Sequence, residues 1–406
     1  MSTRTETLNT AARATAPTPG GDRLISLDAL RGLAILGILV VNIFLFGTPY
    51  DVYDWIWTAP ADLVALGIML GFAEGKFYPV FSFLFGLGFA LQMASAARKG
   101  TNFMPFFARR LFILLLFGVV HALFFSYFDI LVVYALLGYV LLFLRDAPLR
   151  VLLILAVFCL AIPFGFRAIG GIDTEALGLL SYSNAERLEI YGAGGFGTIF
   201  MARLHDLAEY YISVLEVSGG KVFALFLVGA VVGRLGVFQR PAEFQRWIRL
   251  AFWGGTVVGL IGAVGYVTTT LLDFSFESGL LNLGMRGFFA FSDLGLVSMY
   301  CMGMLLLAQQ PGWPDRLEPL ASVGRMALTN YILQSVICTT LFYGYGFGLF
   351  GTLQPAGLLL LAVVIYLGQI AFSTAWLRAF RMGPLEWLWR VLTYGKTTPL
   401  RRTAAA

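Results

Sequence analysis

Charge is what this sequence has least of. Asp, Glu, Lys and Arg make up 13% of its 406 residues, against roughly 25% in a soluble domain, while 59% are hydrophobic. Mean hydropathy is +0.81. A soluble chain of this length has nowhere to bury so much apolar surface, and that class is excluded. Histidine is almost missing: His121 and His205 are the only two, which rules out a His-rich metal cluster. Cysteine is scarce as well. Cys159, Cys301 and Cys338 each fall inside an apolar run, which argues against a disulfide framework or a Cys-based zinc site, so no metal is expected. No internal repeat is visible, and an inverted-repeat transporter draws no support from that test. Residues 1–22, rich in Thr, Ala, Pro and Gly, read as a disordered tail. They lack the apolar core and small-residue cleavage site of a signal peptide, so the first helix is expected to be retained.

What is present is a series of apolar runs. The chain is organised around Arg23–Asn42, RLISLDALRGLAILGILVVN, where a charged entrance leads into an uncharged helix carrying one amide. Ser26 and Asp28 offer acceptors to the first helical N–H groups and place negative charge at the positive end of the helix dipole. Arg31, three residues after Asp28, lies on the same face and is expected to pair with it. Spans are predicted over 28–48, 77–97, 109–126, 129–144, 149–166, 220–238, 248–271, 286–308, 323–343 and 356–377. Residues 62–73 are apolar but short for a hydrocarbon core of ~30 Å, and read as an interfacial or re-entrant helix.

The expectation is therefore an all-α polytopic membrane protein of ten transmembrane helices with one larger extracytoplasmic loop. It divides into a tail (1–22), a five-helix half (23–166), the loop (167–218), a second five-helix half (219–377) and a basic cytoplasmic tail (378–406). The net charge of +5 is placed on residues that flank apolar runs, which points to a membrane surface and away from nucleic acid. With both termini cytoplasmic, all of the 28 Lys and Arg except Lys76, Arg167, Arg187, Arg203, Lys221 and Arg286 fall on the cytoplasmic side. Counting 62–73 as a span would instead put the Arg98/Lys99/Arg109/Arg110 group and the basic tail outside. A bacterial inner membrane is the expected location.

Ionisable residues at membrane depth are costly, so each is a functional candidate. His121 lies about twelve residues, ~18 Å, from the cytoplasmic start of its span. Asp129 follows across a tight turn, and Asn42 reaches a similar depth. Glu74 and Lys76, and Arg286 and Asp293, stand at the outer ends of their spans. A second polar group opens the 323–343 span: Arg325 at the entrance, then Asn330, Tyr331 and Gln334 inside, with Gln369 in the next span. A lone buried histidine is commonly an interhelical hydrogen-bond partner, and flanking arginines commonly set topology. Here an Asp close to the His gives the catalytic alternative weight. The GAGGFG stretch follows no strand and carries little weight as a nucleotide motif.

These stretches carry a resemblance. RLISLDALRGLAILGILVVN, GKFYPVFSFLFGLGFAL, the GVVH…DILVVYALLG hairpin, GRMALTNYILQSVICTTLFYGYGFGLFG and GPLEWLWRVLTYGKTTPLRR resemble the YeiB-like family of bacterial membrane proteins over most of residues 23–402. The LDALRG…N pattern, covering Asp28, Arg31 and Asn42, is also similar to that of membrane acyltransferases related to heparan-glucosaminide N-acetyltransferase. That likeness implies a helical bundle in which acyl-coenzyme A enters from the cytoplasm and an acceptor from the far side. In those enzymes the catalytic histidine lies in the loop after the first span, where this chain has none. His121 takes the role here by depth and chemistry, not by matching the motif.

Two readings follow. In the first, His121, oriented by Asp129, acts as general base in acyl transfer. Asn42, Tyr331 or Gln334 stabilises the oxyanion. Arg325, Arg109 and Arg110, with Arg31 nearby, hold the coenzyme A phosphates of the co-substrate. The acceptor is a small molecule, lipid or carbohydrate bearing a hydroxyl or amine, and membrane lipids and a second copy of the chain are the other partners to consider. In the second reading the same cluster is a transport or lipid-binding site with no covalent chemistry.

Overall fold

The computed structural model describes residues 24–50, 56–168, 182–271 and 279–402. The N-terminal tail and the side chains of Arg167 and Arg286 lie outside them. Among the described residues the only bridge outside helices and turns is an isolated antiparallel pairing of Phe380 with Arg401. The helices are α1 Ile25–Gly47, α2 Pro60–Ile68, α3 Phe77–Arg98, α4 Phe103–Phe124, α5 Leu131–Phe143, α6 Leu149–Ala168, α7 Asn184–Arg187, α8 Phe196–Ser213, α9 Gly219–Leu235, α10 Gln245–Leu271, α11 Gly279–Ala308, α12 Trp313–Arg325, α13 Ala327–Phe342, α14 Pro355–Ala379 and α15 Pro384–Tyr394. Seven stretches are long and apolar enough to cross a membrane, and α5, α13 and Leu149–Pro163 are shorter apolar helices.

The apolar surface faces outward, as lipid solvation requires. On α10, Leu250, Trp253, Val257, Ile261 and Val264 recur at helical spacing, and each is at least 56% exposed. Where helices meet each other, glycine lets backbones touch. A Cβ on Gly324 of α12 would stand 1.8 Å from the Asp28 carbonyl oxygen of α1, and one on Gly32 would stand 2.0 Å from the Leu320 carbonyl oxygen. That close crossing brings the two charged helix ends, Asp28/Arg31 and Arg325, to the same place.

The start of α1 differs from expectation. Its N-cap is Leu24, whose side chain makes no capping bond, and Ser26 and Asp28 both lie inside the first turn. Asp28 still places charge at the positive end of the dipole, and Arg31 Nη1 meets its Oδ1 at 2.8 Å. The 62–73 stretch is also more closely tied to its neighbour than an isolated interfacial helix. α2 runs into a π-helical turn, Met69–Ala73, and only a three-residue turn, Glu74–Lys76 with Gly75 at φ 74°, separates it from α3. The described part of 167–218 is largely helical: α7 passes into π turns, and α8 continues through Val214–Ser218 into α9.

α4 is the ruler of the site. Its 22 residues span ~33 Å. At its N-terminal end Phe106 packs on Tyr394 of α15, with ring centroids 5.0 Å apart. At its C-terminal end the Leu123 carbonyl accepts from Arg203 of α8 at 3.0 Å. The basic C-terminal segment and the α7–α8 segment therefore occupy opposite ends of the bundle.

Candidate functional site

His121 opens the last turn of α4, and Asp129 sits at the turn into α5. Asp129 Oδ2 accepts from the Val132 N–H at 2.8 Å, satisfying one donor that the helix start leaves open. Its other oxygen meets His121 Nδ1 at 2.7 Å. On the far side of the ring, His121 Nε2 meets Ser335 Oγ of α13 at 2.8 Å. The three residues are 0–1% exposed and form one hydrogen-bonded chain. Tyr331, one turn before Ser335, lays its ring 4.8 Å from the imidazole, and Phe125 stacks at 6.2 Å.

α13 owes its position to a residue far along the chain. Its own N-cap, Met326, supplies no side-chain acceptor. Glu386 of α15 does so instead, accepting from the N–H groups of Leu328 at 2.7 Å and Thr329 at 3.0 Å and from the Thr329 hydroxyl at 2.6 Å. A carboxylate at a helix N-terminus is favoured by the dipole. Burial nevertheless pushes the Glu386 carboxyl above its usual range, against those hydrogen bonds.

A cavity of about 340 Å³ opens between α1, α3, α4, α5, α12, α13 and α15. Arg31, Arg110, Arg325, Asp28 and Glu386 stand at one end, while Phe81, Leu84, Phe85, Leu114, Ile130, Tyr134 and Tyr331 line the rest. Arg110 lies over the Trp389 ring at 3.8 Å, and the Trp389 indole N–H donates to the Arg110 carbonyl at 3.1 Å. Arg325 Nη1 is 3.5 Å from Glu318. His121 is not among the lining residues; Tyr331, which is, lays its ring 4.8 Å from the imidazole.

The structure thus brings Arg31, Arg110, Arg325 and Tyr331 together on one cavity, and His121 with Asp129 beyond it. Arg109 points elsewhere: it is exposed, and its guanidinium lies near Gly395. Gln334 is buried but engaged, donating to the Ile35 carbonyl at 3.3 Å and to Gln369 at 2.8 Å. Gln369 passes the network on to the Asn330 carbonyl at 2.9 Å. Asn42 is half-buried on α1 and bonds to neither His121 nor Asp129. Ser335 and Glu386 escape sequence reasoning. A serine in an apolar helix is unremarkable without its distant partner, and a cap 58 residues from Leu328 leaves no local pattern. Among the described residues no three His, Cys, Asp or Glu side chains converge as a metal cage.

A second polar centre lies between α3, α9 and α11. Asp293 receives Lys76 at 3.5 Å and is in direct contact with Lys221. Lys76 Nζ also donates to the Leu70 carbonyl at 2.8 Å, filling an acceptor at the π turn before α3. Glu74 accepts from the Tyr266 hydroxyl at 2.9 Å, and Lys221 lies 4.8 Å from the Phe289 centroid. Lys76 and Asp293 are fully buried.

Residues 232–396 match the family model described as a protein of unknown function, DUF418. That stretch contains Asp293, Arg325, Tyr331, Ser335 and Glu386, and leaves His121 and Asp129 to the part before it. The chain is 34% identical to the uncharacterized protein YxaH of Bacillus subtilis over 95% of its own length and 98% of the relative's. It is 31% identical to the uncharacterized protein YeiB of Escherichia coli over 93% and 98%. It is also 30% identical to an uncharacterized 39.9 kDa protein encoded in the amylase 3′ region of Bacillus acidopullulyticus, over 93% and 96%.

Proposed function

The chain belongs to the YeiB-like family of membrane proteins, and from that premise we propose that it is a membrane-embedded acyltransferase. It moves an acyl group, acetyl being the simplest, from acyl-coenzyme A to a hydroxyl or amine acceptor at or beyond the outer face. The observation that carries this reading is an arginine-rimmed apolar cavity whose lining residue Tyr331 packs against a buried His121–Asp129 pair. Ligand pockets run from roughly 300 to 1,000 Å³. A cavity of about 340 Å³ suits an acylated pantetheine arm and leaves the nucleotide at the mouth. Arg31, Arg110 and Arg325 would face its phosphates there. The Asp129 carboxylate orients the imidazole and stabilises its protonated form as the proton is taken up.

Calorimetry with acetyl-coenzyme A tests the mouth. Arg325→Ala should weaken binding by ~1.5–3 kcal/mol, the range for hydrogen bonds to charged groups. The loss should shrink as salt rises. An unmodified protein that binds no acyl-coenzyme A would overturn the acyltransferase reading. The buried Lys76–Asp293–Lys221 centre would then favour proton-coupled transport, the kind of work for which membranes retain such charges.

The same reading takes the seven long stretches and three shorter helices as ten crossings of a bacterial inner membrane, with both termini in the cytoplasm. Single cysteines in a Cys-free background at Gly195 and Thr397, both exposed, check it. Gly195 should label from outside and Thr397 from inside. Labelling of both from one side would overturn this topology.

A further inference from the structure

We propose that Ser335 is a nucleophile that carries the acyl group as an ester between two half-reactions. This rests on the acyltransferase reading and specifies its chemistry.

The argument starts from the hydrogen bonds. An ionised carboxylate only accepts, so the 2.7 Å contact with Asp129 puts the ring proton of His121 on Nδ1. Nε2 then carries the lone pair, and the Ser335 hydroxyl, 2.8 Å away, is the donor. The nitrogen that a general base needs is therefore already on a hydroxyl of the protein itself. The proton His121 is placed to remove is that of Ser335. This is the order of groups that activates serine in unrelated hydrolases: nucleophile, base, orienting carboxylate, each within hydrogen-bond reach of the next.

The behaviour of neighbouring hydroxyls strengthens the case. Serine and threonine inside helices usually turn back to a carbonyl of the preceding turn. On the same helix Thr340 does so, donating to the Val336 carbonyl at 2.7 Å, and Thr339 bonds the same carbonyl at 3.3 Å. Ser335 instead bonds a ring 214 residues away in sequence. Ser335 does not itself line the cavity; it lies one turn beyond Tyr331, a lining residue on the same helix, so a thioester entering from the arginine end must move past the Tyr331 ring to meet it.

In the first half-reaction Ser335 Oγ attacks the thioester carbonyl carbon, and its proton passes to His121 Nε2. The C–S bond breaks, and the departing sulfur takes that proton from His121, leaving coenzyme A thiol and a Ser335 ester. In the second, the acceptor hydroxyl or amine attacks the ester carbonyl and gives its proton to Nε2. The C–Oγ bond breaks and Ser335 recovers the proton. Nothing is oxidised or reduced.

The test uses the full-length protein in lipid nanodiscs, with acetyl-, octanoyl- and palmitoyl-coenzyme A and no acceptor. The unmodified protein should exchange labelled free coenzyme A into at least one of these donors, because the first half-reaction runs both ways. Rapid quench and peptide mass spectrometry should place an acyl group on Ser335. Ser335→Ala should bind the donor normally but lose both exchange and adduct. Ser335→Cys should regain an adduct, now a thioester cleaved by neutral hydroxylamine, which separates lost chemistry from lost folding. Donor binding without exchange or adduct in the unmodified protein would overturn the covalent carrier, as would exchange that survives in Ser335→Ala. Direct transfer, and with it the broader reading, would still stand. Absence of any donor binding would remove both.

Discussion

Replacing His121 by glutamine should lower acyl transfer by ~10²–10⁴-fold, the usual contribution of a positioned acid–base group. Glutamine keeps polar atoms toward both Asp129 and Ser335 but cannot take up a proton. Stability should change little, because the buried partners at 2.7 and 2.8 Å are still offered hydrogen bonds. Asp129→Asn should also be severe. Its amide has a single acceptor oxygen, which both the Val132 N–H and the His121 Nδ1–H require. If the oxygen turns to Val132, the amide N–H₂ faces the ring, the ring proton moves to Nε2, and Ser335 loses its base. Transfer assays paired with thermal unfolding check both variants. Near-full transfer by His121→Gln would make the histidine a packing residue and end its catalytic assignment.

The second large effect is on stability. Asp293→Ala should destabilise the protein by ~3–5 kcal/mol, the cost of leaving a buried charge without its partner. Two ammonium groups depend on that carboxylate, Lys76 and Lys221. Lys76 has the Leu70 carbonyl and the field of the Glu74 carboxylate besides, whereas Lys221 has the ring faces of Tyr78 and Phe289, which supply no counter-charge. Replacing all three residues with apolar ones of similar volume should recover much of the loss, since the charges no longer need solvation. Unfolding midpoints measured at one scan rate in the same lipid would decide the matter. An unchanged midpoint for Asp293→Ala would mean that water or another anion reaches the lysines.

The parts of the fold that sequence alone made legible are those set by local composition. Apolar runs located α1, α3, α9, α10 and α14 to within a few residues, because each must cover a hydrocarbon slab by itself. Spacing three apart disclosed the Asp28–Arg31 pair, and a short turn between two apolar runs disclosed His121 with Asp129. What stayed hidden depends on pairings across the bundle. Ser335, Glu386 and the Lys221–Asp293 contact each join segments at least 57 residues apart. The helical course of α8 is only partly legible: RLHDLAEYYISVLEV reads as an amphipathic stretch within a polar region, but Arg203 and Asp206 are buried against other helices that the sequence does not disclose.

Two helices at the triad are shorter than the hydrocarbon core they are proposed to cross. α5 has 13 residues and α13 has 16, ~20 and ~24 Å against a core of ~30 Å. Ser335 stands on α13 and Asp129 at the head of α5, while His121 stands on the longer α4, so on the proposed reading the insulating layer is thinnest beside them. From Tyr331 to Ser335 is one helical turn, ~6 Å of rise. On the proposed reading, an acyl group handed over that step clears the permeability barrier while every helix stays in place. Alternating access, with its rocking halves and paired gates, becomes unnecessary, and vectorial chemistry replaces it: the donor never leaves its side, and only a two-carbon or longer fragment changes compartments.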